Sequence, residues 1–328
     1  LIDDLGLGIE WVHPPVGQRG IDESGEAFPG EAREAIDASD ATLFGATSGL
    51  SAGALFYLRW GRQTYANVRP TRFRPGYKSR LTAPEAVDFV IVRENLEDSY
   101  LFLEGEVEDL APLGLVSPTA GRAVSEMTPG RYALKVITDA GSERVSRFAF
   151  ELARKRNRRG RPGRVTSGTK HNMLPRSDGF FRSVAERVSG EYPEIEFRSL
   201  IIDDLAHQLV SAPETFDVVV LPNLYGDILS DAAAGLVGGL GLAPSGCYGD
   251  DYAYFESAHG TAPDIAGQGI INPTATLLSA AMMLEHLGFA DAAKRLDSAL
   301  ARIYAEGRVL TPDQGGSAST TEFCDAVA

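Results

Sequence analysis

The sequence predicts an α/β fold divided into two domains, and three observations carry that expectation. Short apolar runs at residues 41–44, 88–92 and 217–221 alternate with amphipathic segments of helical length at residues 143–156 and 274–287, the pattern of parallel strands joined by helical crossovers. At 328 residues the chain can build more than one core. It contains neither an internal repeat nor a low-complexity linker, so a solenoid or a tethered array is excluded.

The elements follow in order. The opening is helix-like and leads into Ile9-Glu-Trp-Val12, which reads as a strand. Residues 69–84 are rich in Pro and Gly and read as a connection, and residues 103–131 form a turn-rich insertion without helical periodicity. In the helix over 143–156, Val145, Phe148, Ala149 and Leu152 share one face. The basic run at 154–164 reads as its solvated end and loop. Residues 164–166 are strand-like, and Asp217-Val-Val-Val-Leu221 reads as a buried strand that ends at Pro222, before a helix start. Gly239-Leu-Gly241 lacks both a third glycine and a preceding strand, so the Rossmann dinucleotide fingerprint is not met.

Composition narrows the function. Hydrophobic content of 44% and charged content of 23% are ordinary for a soluble globular protein, and no apolar run approaches a bilayer span. Lys plus Arg number 31 against 45 Asp plus Glu, and the net charge of −14 disfavours nucleic acid. An anionic substrate must then be held by a local arginine cluster. Cys247 and Cys324 make no disulfide framework, which suits a reducing cytoplasm.

Chemistry concentrates in Asn223-Leu-Tyr-Gly-Asp227-Ile-Leu-Ser-Asp231, which continues to Ser245 through a glycine-rich stretch. Asp227 and Asp231 are one helical turn apart, on one face, where a strand hands over to a helix. Paired carboxylates of this kind suit a hard divalent cation such as Mg²⁺ or Mn²⁺. Taken alone, the pair also reads as acidic capping of a helix N-terminus.

Further segments decide between these readings: Arg59 with Tyr65-Ala-Asn-Val-Arg69-Pro70, Arg93-Glu-Asn-Leu-Glu-Asp-Ser-Tyr100, Thr169-Lys170-His-Asn172, Asp203 with Gln208, and His259-Gly-Thr-Ala-Pro-Asp264-Ile265 with Asn272-Pro273. In this order they resemble the isocitrate and 3-isopropylmalate dehydrogenase family of metal-dependent β-decarboxylating dehydrogenases, over nearly the whole chain. The resemblance implies that family's two-domain α/β fold, with a discontinuous cofactor-binding domain at 1–65 and 239–328. The second domain, 66–238, would carry the dimer interface, with 103–131 as an arm that interlocks two subunits. It also implies a homodimer whose active sites are shared. The opening strand, Gly-Asp-Gly-Ile-Gly-Pro loop and helix that the family places first are absent ahead of Leu1, as in a truncated chain, which would leave a sheet edge and part of the cofactor pocket unbuilt.

The same resemblance assigns roles. Arg59, Arg69 and Arg93 would grip the carboxylates of a small dicarboxylic 2-hydroxy acid through bidentate forks. Asp227 and Asp231, with Asp203 of a second copy, would hold the metal. Lys170 would take part in removing the C2 hydroxyl proton, for which burial must lower its pKa, and Tyr100 would protonate the enol after decarboxylation. The segment His259, Gly260, Thr261, Ala262, Pro263, Asp264 and Ile265 would hold the adenosine, with Asn272 against the adenine and Asn172 also on the cofactor side. Asp264 can accept from a ribose diol and repels a 2′-phosphate, so NAD is expected over NADP, whose users carry Lys and Tyr at positions 264 and 265. Leu96, Thr169 and His171 depart from the commoner residues without removing a catalytic group.

Leu55 and Phe56 fall where the family reads the substrate's C3 substituent, and their apolar character favours a (2R)-malate with a small apolar C3 group or none over isocitrate. 3-Isopropylmalate leads, followed by D-malate or tartrate, then isocitrate or homoisocitrate. A noncatalytic regulatory subunit of this family would have lost a lysine, tyrosine or metal aspartate. Lys170, Tyr100, Asp203, Asp227 and Asp231 all remain.

Overall fold

The computed structural model describes residues 2–46 and 49–328. Its strands are β1 (Thr42–Phe44), β2 (Ala66–Arg72), β3 (Asp88–Glu94), β4 (Glu104–Glu106), β5 (Arg131–Ala133), β6 (Arg164–Thr169), β7 (Glu196–Ile201), β8 (Val218–Leu221), β9 (Pro244–Tyr248) and β10 (Ala253–Ser257). The helices are α1 (Gln18–Ser24), α2 (Gly30–Ala38), α3 (Ala52–Phe56), α4 (Asp139–Asn157), α5 (Asp178–Ser189), α6 (Ile202–Ser211), α7 (Asn223–Val237), α8 (Thr274–His286), α9 (Ala290–Glu306) and α10 (Thr320–Val327). None is long and apolar enough to cross a membrane.

Eight strands form one sheet in the order β1-β10-β9-β2-β3-β8-β6-β7. It is mixed, which corrects the expectation of parallel strands: β3, β8, β6 and β7 are parallel, whereas β2 is antiparallel to both its neighbours and β9 is antiparallel to β10. The type of connection is the cause. Gly249 bonds Tyr252 in the tight turn between β9 and β10, and Phe73 bonds Val87 across the return from β2 to β3. Neither link contains a crossover helix, so each can join only antiparallel strands.

The sheet is covered on both faces. Along β3, Phe89 and Ile91 enter the core beneath α7, α8, α9 and α10, while Val90 and Val92 enter the core beneath α4 and α5. Along β8, Val219 and Leu221 face the first core, and Val218 and Val220 the second. Burial on both faces is why these strands appear in the sequence as continuous apolar runs.

Other expectations shift. Ile9–Val12 has no strand partner and lies in irregular chain. Part of the stretch read as a connection is β2, a central strand, despite Pro70. Its ladder to β9 spans only Ala66 to Val68, so Pro70 sits where its missing N–H has no neighbour to bond. The turn-rich insertion contains the two-stranded ladder β4-β5 and exposes Leu113, Leu115, Val116 and Met127. On α4, Thr138 caps Gly141 at 3.0 Å, and the buried stripe runs through Val145, Ala149, Phe150 and Ala153, with Phe148 and Leu152 at its margin.

The basic run is structural rather than only solvated. Asp217, fully buried just before β8, accepts from Arg156 Nε at 2.6 Å and from the backbone N–H groups of Gly163 at 2.9 Å and Arg164 at 3.2 Å. One carboxylate thus joins the end of α4, the start of β6 and the start of β8. Asp217→Ala leaves Arg156 Nε and two backbone N–H groups without their acceptor, Arg156 keeping only Asp88 as partner at 3.1 Å, and chemical denaturation should show a loss of about 3 kcal/mol; a loss under about 1 kcal/mol would show the anchor to be redundant.

Candidate active site

The C-terminal ends of β3 and β8 lie side by side, with Arg93 opposite Leu221, and α7 begins directly after β8. The close approach of α7 to β3 requires a glycine: a Cβ on Gly226 would stand 2.6 Å from Cβ of Arg93. This geometry gathers Arg93 from β3, Arg69 from β2, and Asp227 and Asp231 from successive turns of α7. Arg93, 1% exposed, donates through Nε to Asn223 at 2.8 Å and through Nη1 to Asp227, while its Nη2 is buried without a partner. Arg69 Nη1 donates to Ser230 and to Asp231, each at 2.8 Å, and its Nη2 lies 3.6 Å from Asp227.

Arg59 comes from a π-type turn at Tyr57–Gly61, closed by Arg62 N–H on the Tyr57 carbonyl at 2.9 Å, a wide turn frequent at functional sites. It donates to Tyr254 at 3.2 Å and lies 3.8 Å from Glu256. Burial works to raise the Asp227 pKa, but Arg93, the Tyr100 hydroxyl and Arg69 more than offset it and hold Asp227 below the ordinary carboxylate range, with Arg59 adding to the effect. Asp231 is pushed the other way, by burial and by the charge of Asp227, against the pull of Arg69.

Tyr100 joins the same cluster. Its hydroxyl donates to Asp227, and the guanidinium of Arg93 lies over its ring at 5.0 Å. Burial and then the bond to Asp227 raise its pKa, which keeps the phenol protonated. The Tyr100 loop is stapled to α7 by Asp98, whose buried carboxylate accepts from Ser99 N–H at 2.8 Å and Leu224 N–H at 3.0 Å. Lys135 lies 3.5 Å from Asp98 and 2.7 Å from the buried Asp178, which accepts from the backbone N–H of Lys170 at 2.6 Å.

Lys170 and Asp203 stand apart from this cluster and pair with each other. Their side chains are 30% and 66% exposed, so the burial expected for Lys170 is not provided by its own chain. Asp203 is held below its ordinary range first by the hydrogen bond from Lys170. Gln208 donates to Asp204 at 2.8 Å, not to Asp203. Among the described residues, no three His, Cys, Asp or Glu converge closely enough to hold a metal. Asp227 and Asp231 still fit a hard cation, since they present carboxylate oxygens on one helix face with Asp227 held ionised.

Leu55 and Phe56 part company. Leu55, half-buried, packs against the core around Phe44 and Tyr254. Phe56, 41% exposed, meets Trp60 and Phe102. Sequence reading passed over Trp60 and Phe102, though Phe102 lies two residues beyond Tyr100, and it passed over Asn223 and Ser230, both within the Asp227 motif.

Residues 258–273 form the loop between β10 and α8. Ala262 holds φ +43°, a conformation that a non-glycine residue keeps only under constraint. His259 Nδ1 meets the Gly260 carbonyl at 2.9 Å while its Nε2 is buried without a partner, and Asp264 is exposed. Gly260 and Pro263 are exposed as well, and Thr261 and Ile265 half-buried. An unsatisfied ring nitrogen beside a constrained backbone fits a polar ligand such as an adenosine. Asn272 is different: its amide donates to Tyr304 at 3.1 Å and Asp313 at 2.9 Å and accepts from Thr274 N–H at 3.0 Å. With that side chain satisfied internally, only its backbone is left for an adenine. Asn172 is exposed in the turn after Lys170.

The family model described as isocitrate/isopropylmalate dehydrogenase matches residues 3–327. The chain is 42% identical over 328 residues to the 3-isopropylmalate/3-methylmalate dehydrogenase of Methanocaldococcus jannaschii, covering 100% of this chain and 92% of that protein. It is 42% identical over 334 residues to the isocitrate/homoisocitrate dehydrogenase of Thermus thermophilus, covering 100% and 91%. The crystal structure of isocitrate dehydrogenase from Methylococcus capsulatus superimposes with a TM-score of 0.85 at 34% identity, covering 99% of this chain and 91% of that one. Relatives include proteins named for NAD and proteins named for NADP.

Glu94, beside Arg93, gives the site a pH signature. Its carboxyl is 2% exposed and accepts from Leu96 N–H at 2.9 Å and Glu97 N–H at 2.8 Å. Burial pushes its pKa up to about 7 against these bonds; Glu97 adds to the rise and Arg144 opposes it. The unfolded chain therefore ionises first as pH rises, and the native state loses stability between the ordinary value of 4.5 and about 7. Glu94→Gln should gain on the wild type by roughly 3 kcal/mol more at pH 8 than at pH 4, read by denaturant titration. An equal difference at both pH values would contradict this.

Proposed function

Since this chain belongs to the isocitrate/isopropylmalate dehydrogenase family, whose members are decarboxylating dehydrogenases, we propose that it oxidises and decarboxylates a (2R)-malate bearing an apolar C3 group, with 3-isopropylmalate the leading substrate and NAD the acceptor. The observation that carries this is the convergence of Arg69, Arg93, Asp227, Asp231 and Tyr100 on one point, with Arg93 Nη2 buried and unpartnered. A buried, unsatisfied guanidinium N–H is costly unless a ligand oxygen completes it.

Arg59, Arg69 and Arg93 bind and orient the two malate carboxylates, exchanging their present carboxylate partners for those of the substrate. Lys170 of a second copy, freed from Asp203 when that carboxylate turns to the metal, would take the C2 hydroxyl proton through its neutral amine, and a bound nicotinamide would supply the hydride acceptor. The C3 carboxylate then leaves as carbon dioxide, and Tyr100, protonated and held on Asp227, delivers a proton to C3. Asp227 and Asp231, with Asp203 from the second copy, would hold Mg²⁺ or Mn²⁺, which would supply Lewis acidity when bound. Asp264 favours the ribose diol of NAD over a 2′-phosphate. Phe56 offers an isocitrate side chain no partner for its extra carboxylate, which raises the cost of burying that group.

A homodimer follows from this reading, because one chain separates Lys170 and Asp203 from the Asp227 cluster. It is supported by the exposed apolar residues of the insertion and by Val210 on α6 and Ile228 on α7. The reading keeps the division into 1–65 with 239–328 and 66–238, and a cytoplasmic setting in keeping with the two free cysteines.

NAD reduction with Mn²⁺ should proceed with 3-isopropylmalate at a higher kcat/KM than with isocitrate or with NADP as acceptor, and should stop in excess chelator and resume when Mn²⁺ is restored. Full activity in chelator, or preference for NADP, would overturn the corresponding assignment. Tyr100→Phe should lower kcat about 10²-fold or more with KM little changed; unchanged turnover would remove Tyr100 from the chemistry.

A further inference from the structure

We infer that Lys135 is a positioning residue that serves both active sites of a dimer at once, because its ammonium ties the loop of Tyr100 to the loop of Lys170. This rests on the reading above, in which Tyr100 acts in its own chain's site and Lys170 in that of a second copy. Lys135 follows β5, where the turn-rich insertion returns to the body of the chain. Its ammonium lies 2.7 Å from Asp178 and 3.5 Å from Asp98, both carboxylates 0% exposed, and 4.3 Å from the centre of the Tyr225 ring.

Each of these partners leads directly to a group proposed for the chemistry. Asp98 stands two residues before Tyr100, and its carboxylate also accepts from Leu224 N–H at 3.0 Å. Tyr225 stands two residues before Asp227 on α7. Asp178 accepts from the backbone N–H of Lys170 at 2.6 Å. Two buried carboxylates are tolerable only with a counter-charge, and among the described residues Lys135 is the one cation paired with either. Asp98 also holds φ +70°, a conformation that a non-glycine residue keeps only where its surroundings over-determine it. Its N–H donates to the carbonyl of Val136, next to Lys135, at 2.9 Å. Among the described residues, no hydrogen bond or ion pair of Arg69 or Arg93 reaches Lys135, Asp98 or Asp178, so the grip on the substrate does not pass through this tie.

In a twofold dimer with shared sites, every chain gives Tyr100 to one site and Lys170 to the other. Loss of Tyr100 or of Lys170 from one chain disables one site, whereas loss of Lys135 from one chain misplaces a group in each.

The test uses heterodimers of the full chain, assembled from differently tagged copies and assayed with NAD, Mn²⁺ and 3-isopropylmalate. A Tyr100→Phe chain mated with wild type should keep about half of the wild-type kcat, and Tyr100→Phe mated with Lys170→Met should also reach about half, since one site then has both groups intact. Lys135→Met mated with wild type should fall to about one-tenth or below, the scale of a misplaced group at both sites, with the substrate KM within about threefold. Because Lys135→Met leaves two carboxylates without a counter-charge, the charge-balanced Lys135→Met/Asp178→Asn chain provides the second variant. Its asparagine oxygen can still accept from Lys170 N–H, and the same loss at both sites is expected.

A kcat of about half or more in both Lys135 heterodimers would overturn the inference and leave the proposed reaction standing, because the tie would then serve one site or none. A loss carried by KM alone would overturn it as well, since that marks weakened substrate binding rather than misplaced chemistry. No recovery on mating Tyr100→Phe with Lys170→Met would defeat the shared site and with it the reading beneath the inference.

Discussion

The ion pair between Arg93 and Asp227 is the constraint on which the rest of the site depends. A guanidinium that is 1% exposed is tolerable only with charged and polar partners around it. The fold meets that requirement by bringing α7 against the end of β3, with Gly226 removing the Cβ that would prevent it. Asn223 then accepts from Arg93, Asp98 caps Leu224, and the Tyr100 loop is fixed to the same helix. The groups proposed for chemistry are therefore held by the same contacts that dock α7.

The charges at this point form a set designed for exchange of partners. Within one chain, Arg69 and Arg93 neutralise Asp227 and Asp231. A dianionic substrate can take the arginines while a divalent cation takes the aspartates, so binding replaces ion pairs with ion pairs and strands no buried charge. The arrangement also reconciles a net charge of −14 with an anionic substrate, since the local arginine cluster works at contact distance, where the long-range field is screened.

Lys170 and Asp203 follow the opposite logic. Their side chains are half in solvent, yet the Lys170 backbone is tied through Asp178 and Lys135 to Asp98 and so to the Tyr100 loop. The chain fixes where both halves stand without bringing them together. A second copy of the chain supplies the missing half in the proposed reaction.

The sequence by itself determined the α/β class, the strands read at residues 88–92 and 217–221, the long helices α4 and α8, and the identity of the arginine, aspartate and tyrosine cluster. The strands and helices are written in continuous apolar runs and helical periodicity, and the aspartate pair in its spacing, all of which are local; the arginines and the tyrosine were legible only through the resemblance of their motifs to a known family. Strand direction, the central place of β2 and the anchoring role of Asp217 were decided only by tertiary structure. Antiparallel pairing of β2 with β9 joins residues about 180 positions apart, and no local pattern encodes which distant strand will supply the partner. The aromatic pair of Trp60 and Phe102 belongs with these. Each lies near a motif residue, but their meeting at 6.2 Å joins two segments about 40 residues apart.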